Sequence, residues 1–547
     1  MKPMLFKTLK TYSWQQFGKD AVAGLIVAII ALPLSIALAI ASGVSPEQGI
    51  YTAIVAGFVI SFLGGSTVQI AGPTAAFATI VAGIVATNGM NGLIVSTIIA
   101  GIFLVLMGVF KLGNLIKFIP FTITTGFTAG IAVTIVLGQL KDFFGVTYPA
   151  GVHTVETMEK VKAFAAGFGS FQWEALVVGL VCLAVLIIMP KITEKIPGSL
   201  VAVLVGIAMV QLIPVFQNVP TIGAQYTNIP TGLPKFTLPS IDFALIQNSL
   251  SDGFTIAILA AIESLLSCVV ADGMVKSKHN SNMELVAQGA GNIASVLFGG
   301  IPATGAIART AANVKNGGRT PIAGMVHSVV LVLVLLVLMP YAKLIPMPTI
   351  AAILIMVAYN MCQWRTFVHT VKTAPKSDIT VLVVTFLLTV IFDLVVAIEI
   401  GMLLACLFFM KRMSDETGVK SWKYTSETDS KAEQEQLMSI PPEISVYEIT
   451  GPLFFGAADR LEHIAMRDKT KVLILRMRSV PALDSTAMNG LVNLHSRCQK
   501  RGVVMVLSHV NEQPMHAMKK AGFDAIVGKE HFCEHITAAI DHAKDLI

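Results

Sequence analysis

Two stretches of this 547-residue chain put proline, glycine and threonine where an apolar helix should be starting. One reads Gln69-Ile70-Ala71-Gly72-Pro73-Thr74-Ala75-Ala76-Phe77. The other reads Gly299-Gly300-Ile301-Pro302-Ala303-Thr304-Gly305-Ala306-Ile307-Ala308-Arg309-Thr310. Each predicts an extended segment, a proline break and then a short helix. The opening N–H groups of a helix lack intrahelical acceptors and sit at the positive end of the macrodipole, so a helix start of this kind attracts an anion. Thr74 and Thr304 offer hydroxyl donors, while Gly305, Ala306 and Ala308 let a ligand approach the backbone. Each break alone fits tight helix packing in lipid at least as well. Occurring as a matched pair, they point to an anion site.

Ionisable residues inside apolar runs are costly and usually functional. Arg309 lies one turn into the second of these helices, where it either faces the anion or pairs with a buried carboxylate. Glu263 sits in Ala260-Ala261-Ile262-Glu263-Ser264-Leu265-Leu266-Ser267, with Ser267 four residues on and on the same helix face. A carboxylate in that setting either binds a cation or carries a proton. A static Arg309–Glu263 ion pair is the alternative. Glu263 is the one carboxylate expected deep in a span near the ligand. Asp272 and Lys276 are expected at a helix end and Asp393 in a tight turn, and Glu399 has no assigned role.

The elements that must position these residues are membrane spans. The chain is 54% hydrophobic and 13% charged, against about 25% charged in soluble proteins. Half of its 72 Asp, Glu, Lys and Arg residues fall in 411–547, where 18 basic and 18 acidic residues cancel, so the net charge of +6 belongs to the apolar part. A basic balance of this kind reflects loops at an anionic membrane surface and implies no nucleic acid. Apolar runs lie near 21–42, 49–63, 70–87, 93–110, 119–138, 173–190, 198–215, 253–272, 283–299, 304–316, 321–339, 345–360, 377–393 and 395–410. That makes about 14 spans, the third and tenth short and polar. With the N-terminus inside, inner loops hold 17 Lys and Arg residues and outer loops five, which places both termini in the cytoplasm. The Pro-rich segment 216–252 reads as a crossover between two seven-span halves. An odd number of spans per half, with both termini on one side, makes the halves inverted repeats. The two proline breaks then fall in the third span of each half.

Beyond a charged, Ser-rich linker at 413–440, strand-like runs (444–449, 472–477, 503–507) alternate with helical stretches (456–467, 485–500, 512–521, 531–545). This is the pattern of a small α/β domain over 441–547. Asp484 or Ser485 is placed to cap the helix that follows. The six cysteines show neither metal-ligand nor CxxC spacing, so no metal site is expected from them. No nucleophile–base arrangement or phosphate loop suggests an enzyme.

Gly72-Pro73-Thr74-Ala75-Ala76, Ala31 through Ala39 with Gly43 and Pro46, Ile262 through Ser267 with Val270-Ala271-Asp272, and Gly299–Asn313 together resemble the SulP family of anion transporters (solute carrier family 26). The tail resembles its STAS domain. The resemblance implies a polytopic α-helical membrane protein of fourteen spans in two inverted seven-span repeats, forming core and gate domains, with a cytoplasmic STAS domain at 441–547 and the transporter at 1–412. It further implies an anion held between spans 1, 3, 8 and 10, with Leu34, Leu38, Thr74 and the backbone from Thr304 to Ala308 at matching positions. Glu263 and Ser267 match a sodium-binding acid and hydroxyl of bicarbonate members, with Glu here in place of Asp. Arg309 matches the basic position near the anion, and Ser485 a phosphorylated, regulatory serine of STAS-type antagonists.

The expected function is secondary transport of a small anion (dicarboxylate, sulfate or bicarbonate) driven by H+ or Na+ across a bacterial inner membrane. The expected form is a lipid-embedded homodimer, with a cytoplasmic protein partner for the STAS domain and no cofactor besides the coupling ion. The alternatives are a nucleobase permease of the same fold, or a membrane sensor or tether signalling through the tail.

Overall fold

Fourteen apolar runs of span length have to satisfy their backbones internally, and in lipid the helix is the means available to separate segments. The computed structural model describes residues 2–149, 157–193, 196–226, 230, 232–240, 242–392, 394–421, 440–457 and 459–547. They form two compact units, Met1–Met402 and Leu403–Ile547. The turn expected at Asp393, and 422–439 of the expected linker, lie outside the described residues.

In the first unit every apolar run is largely helical: α1 (Trp14–Ala41), α2 (Pro46–Leu63), α3 (Ala75–Val109), α4 (Phe121–Phe143), α5 (Trp173–Ile192), α6 (Gly198–Leu212), α7 (Phe243–Val275), α8 (Ser281–Leu297), α9 (Ile307–Lys315), α10 (Ile322–Ala342), α11 (Met347–Cys362), α12 (Lys376–Ile391) and α13 (Leu394–Glu416), which leads into the second unit. Among the described residues, eight helical stretches are long and apolar enough to cross a membrane. The third and fourth runs fall within α3 as two helices joined across a kink at Gly89, whose φ of 67° and ψ of −176° are non-helical and are reached by glycine without Cβ strain. Helices α1, α2, α3, α7, α8, α9 and α10 pack mainly on one another, and α4, α5, α6, α11 and α12 form a second bundle.

Two-residue strands precede the two broken helices. β1 (Ala71–Gly72) leads into α3 and β2 (Thr304–Gly305) into α9, and they pair antiparallel with Ala71 opposite Gly305 and Gly72 opposite Thr304. The extended leaders around them are buried among the helices, and side chains satisfy their backbone. Thr310 Oγ1 accepts from the Ile70 N–H and Asn313 Nδ2 donates to the Val68 carbonyl. In the other leader Asn292 both donates to the Ala303 carbonyl and accepts from its N–H, as a neighbouring strand would. Thr52 accepts from the Ile301 N–H, and Ser295 donates to the Ile301 carbonyl. These needs explain the polar stripe Glu284, Gln288, Asn292 and Ser295 along one face of α8, all buried.

The second unit holds a five-stranded sheet ordered β3 (Gly418–Ser421), β4 (Ile444–Thr450), β5 (Val472–Ser479), β6 (Val504–Ser508), β7 (Phe532–Cys533), parallel except for β3. Helices α14 (Ser485–Lys500), α15 (Glu512–Lys520) and α16 (Ile536–Asp545) cover it. Its central strands β5 and β6 are buried on both faces and read as near-continuous apolar runs, whereas β4 alternates. Leu473, Leu475 and Met477 join Leu491, Leu494 and Phe523 in one cluster, while Val472 and Ile474 join Ile536, Ala539 and Ile540 in the other.

Three expectations need correction here. Among its described residues the stretch 456–467 contains one short α-helix, Asp459–Glu462. Arginines at the end of α14 take up its carbonyls instead, with Arg497 of the helix donating to those of Glu462 and Ile464, and Arg501, just beyond it, to that of Met466. The stretch 531–545 opens with β7 and becomes α-helical only at Ile536. The segment expected to be linker contributes β3, a polar edge strand too short to show alternation.

Candidate functional site

The β1–β2 pair sets the starts of α3 and α9 against each other. In α3 the first N–H groups, on Ala75 and Ala76, have no acceptor within the helix, and in α9 the same holds for Ile307 and Ala308. The opening turn of α9 is accessible, with Ile307 43% exposed and Ala308 exposed. α1, carrying half-buried Leu34 and buried Leu38, packs on both helices. The residues expected to line the site are thus brought onto elements that meet.

Their side chains do different work from that expected. Neither threonine has a free proton for an anion: Thr74 Oγ1 donates to Glu263 Oε2 at 3.0 Å, and Thr304 Oγ1 to the Ala260 carbonyl at 3.1 Å. The donors open to an anion are therefore backbone N–H groups. Gly305 does not make room for a ligand either, because a Cβ there would collide with the Gln69 amide. Ala306 is half-buried and its N–H is spent on the Ile70 carbonyl at 2.9 Å.

Arg309 is 1% exposed and forms no ion pair with Glu263. Its Nη2 donates to the Pro73 carbonyl at 2.9 Å, and its Nη1 lies so close to Gly72 that any Cβ there would overlap it. The guanidinium thus runs from α9 to the residue that precedes Thr74. No hydrogen-bond acceptor meets its Nε or Nη1. The buried guanidinium thus places its charge beside the residues that lead into α3.

Glu263 is half-buried on α7, bonded to Thr74. Ser267, one turn on, is buried and its hydroxyl has no hydrogen-bond partner. Glu263 is not the only carboxylate deep in the bundle. Glu284 of α8 is 1% exposed, and Asp20, at 0%, accepts from Tyr12, Gln16, Thr320 and the Arg319 N–H. Both fall at the ends of apolar runs, where sequence alone does not distinguish them from interfacial residues. The available signal was the polar stripe that Glu284 begins. Asp272 accepts from Ser277 and from the His279 N–H at the end of α7, and Glu399 is exposed.

In the second unit Asp484, not Ser485, caps α14: its Oδ1 accepts from the Ala487 N–H at 2.8 Å and its Oδ2 from that of Phe455 at 2.8 Å. Ser485 is the first helical residue, exposed. Cys498, on the buried face of the same helix, has its thiol pushed up to about 11 by burial, as expected of a core residue.

Comparison with known proteins places these features in context. Residues 17–385 match the Sulfate permease family and residues 436–539 the STAS domain. YvdB of Bacillus subtilis, assigned by name to sulfate transport, is 41% identical over 533 residues, covering 96% of this chain and 98% of its own. The bicarbonate transporter BicA of a Picosynechococcus strain is 31% identical, covering 87% and 85%. The transmembrane domain of a cyanobacterial BicA superposes with a TM-score of 0.63 at 30% identity over 71% of this chain and 98% of that one. The murine solute carrier 26 family member A9 anion transporter, inward-facing, shares the fold with a TM-score of 0.86 at 18% identity over 99% and 94%.

Proposed function

The chain belongs to the sulfate permease family of anion transporters and ends in a STAS domain, and on that premise we propose that it is a secondary active transporter that binds a small anion between the starts of α3 and α9. The observation that carries this reading is the antiparallel β1–β2 pair, which opposes two helix starts over one space. The anion takes backbone N–H groups of Ala75, Ala76, Ile307 and Ala308 in place of its water, and Arg309 adds charge from beside the leader of α3. Leu34 and Leu38 form the apolar wall. Fixed donors of this kind do not have to reorganise when the anion arrives, and their dipoles act strongly in a site shielded from water.

Carrying an anion inward against a negative-inside potential costs about 2.3 kcal/mol per charge per 100 mV. Accumulation therefore needs a cation, and Glu263 is the group that takes it, as a proton or as Na+ shared with Ser267. The Thr74–Glu263 bond links the coupling residue to one of the anion-binding helix starts. Sulfate, bicarbonate and dicarboxylates all present oxygens suited to N–H donors. The protein works as a homodimer in a bacterial inner membrane with both termini cytoplasmic. Its STAS domain meets a cytoplasmic protein, and Ser485 is exposed for phosphorylation.

Uptake of labelled sulfate, bicarbonate, fumarate and uracil into proteoliposomes, under imposed H+ or Na+ gradients, tests the reading. One of the three anions should accumulate with one of the two gradients, and Glu263→Gln should uncouple it while leaving binding intact. Uracil uptake alone, or a Glu263→Gln protein that still accumulates anion down the gradient, would contradict it.

A further inference from the structure

Glu284 is a buried carboxylate to which the transport reading gives no task. Its Oε1 accepts from Gln69 Nε2 at 2.7 Å, Gln288 Nε2 at 2.9 Å and Ser264 Oγ at 3.0 Å, and its Oε2 accepts from the Gly65 N–H at 2.9 Å. Among the described residues no Lys or Arg pairs with it, and four donated hydrogen bonds replace its hydration.

These partners lie on elements that have to be held together. Gly65 and Gln69 belong to the leader of β1 and α3. Ser264 is the residue after Glu263 on α7. Gln69 extends the reach: its Nε2 also donates to Ser264 at 2.9 Å, and its Oε1 accepts from Cys268 at 2.9 Å. Its amide lies against the bare Cα of Gly305 in β2. One carboxylate–amide pair thus spans the leader of one helix start, the strand before the other, and the helix bearing the coupling residue.

We propose that Glu284, through Gln69, is a positioning residue for transport: it fixes the start of α3 relative to Glu263 and β2, so that anion and cation are bound by one preformed body. This rests on the reading that the anion lies between the two helix starts. The pair is tuned for one acceptor-only partner and one amide. A second carboxylate opposite Glu284 would leave two like charges in contact, which hold a single proton between them until rising pH removes it. Exchanging the two residues restores one carboxylate and one amide. The exchange is also compatible with the surroundings, because Gln288 Oε1 has no partner and its amide is free to turn toward a new donor.

The test measures uptake of sulfate, bicarbonate or fumarate, whichever the parent accumulates, as KM and Vmax across pH, alongside the detergent melting temperature of the full chain. Glu284→Ala should lower Vmax/KM by about tenfold or more, the effect of losing a charge-assisted contact. Should it fail to fold, Gln69→Glu decides. That variant should lose uptake progressively as pH rises, relative to the parent, and the double variant Gln69→Glu with Glu284→Gln should regain the parental profile. The titratable groups on the elements packed around the pair (Glu47 of α2, Glu263, Cys268 and Asp272 of α7, Arg309 and Lys315 of α9, His327 of α10) are common to all these proteins, so the difference profile reports the new pair. A folded Gln69→Glu variant with parental kinetics and pH profile overturns the proposal, as does a double variant no better than its parents. Ala308→Phe, made in parallel, separates the two levels. If Ala308→Phe transports normally the anion site itself is misplaced, whereas if Ala308→Phe is dead and Gln69→Glu is normal only the positioning role fails.

Discussion

The start of α3 and the start of α9 use one backbone device with two different sets of side chains. Each follows a two-residue strand and a leader whose polar groups are satisfied by side chains from neighbouring helices. At α3 the residue before the helix is Thr74, and its hydroxyl is spent on Glu263. At α9 that residue is Ala306, the threonine lies two residues earlier within the strand, and its hydroxyl is tied to the Ala260 carbonyl. α3 runs on as an apolar span, whereas α9 is nine residues long and carries Arg309 back toward its opposite number. On the proposed transport reading the two helix starts divide the labour: the first is bonded to Glu263, the proposed coupling residue, and the second carries the buried Arg309 and the accessible opening turn.

The sharpest way to break this comparison is at the accessible turn. Ala308→Phe should cut uptake by about a hundredfold or more by displacing the bound anion, while leaving the melting temperature near the parent's because Ala308 is exposed. Arg309→Gln should come next. Losing the charge held beside the leader of α3 should weaken anion affinity by about ten- to a hundredfold. Arg309→Lys should recover only part of this, because an ammonium cannot reproduce the guanidinium's planar fork between Pro73 and Gly72. Binding isotherms for the labelled anion decide both.

Gly305→Val should act on the fold, not directly on the ligand. Its side chain meets Gln69, so the cost should be about 1–3 kcal/mol of overpacking, read as a lower melting temperature. A well-folded Gly305→Val protein that merely fails to bind would return Gly305 to the ligand's side. The smallest and most discriminating effect belongs to the threonines. Each Thr→Val change removes one hydrogen bond of about 1 kcal/mol. Thr74→Val should alter the dependence of uptake on the driving gradient, while Thr304→Val should lower the melting temperature and leave coupling alone. Equal effects on coupling would erase the division of labour.

Much of this was legible in the sequence because spans and proline breaks are written in composition and local order. Fourteen apolar runs became helices, and Pro73 and Pro302 announced the two leaders. The side-chain assignments were less legible. Thr74 and Thr304 look like free donors until the acceptors opposite them, Glu263 and the Ala260 carbonyl, are brought close by packing of distant segments. Gly305 looks like space for a ligand until Gln69, more than two hundred residues away in the chain, fills it. Glu284 and Asp20 were hidden by their places at the ends of apolar runs. In the STAS domain the central strands were plain from their unbroken Val, Ile and Leu. β3 was not, since a four-residue polar edge strand is defined by its partner rather than by its own pattern.

The central claim is that the transported anion rests on the opening turn of α9, opposite that of α3. Protection of a cysteine placed there tests it most directly. Ala308→Cys, in a chain whose accessible Cys362, Cys406 and Cys533 are replaced by alanine, should react with a small methanethiosulfonate reagent. Saturating transported anion should slow that reaction in step with site occupancy measured by binding of the labelled anion. Modification of Ala308→Cys at the same rate with and without saturating anion would contradict the account.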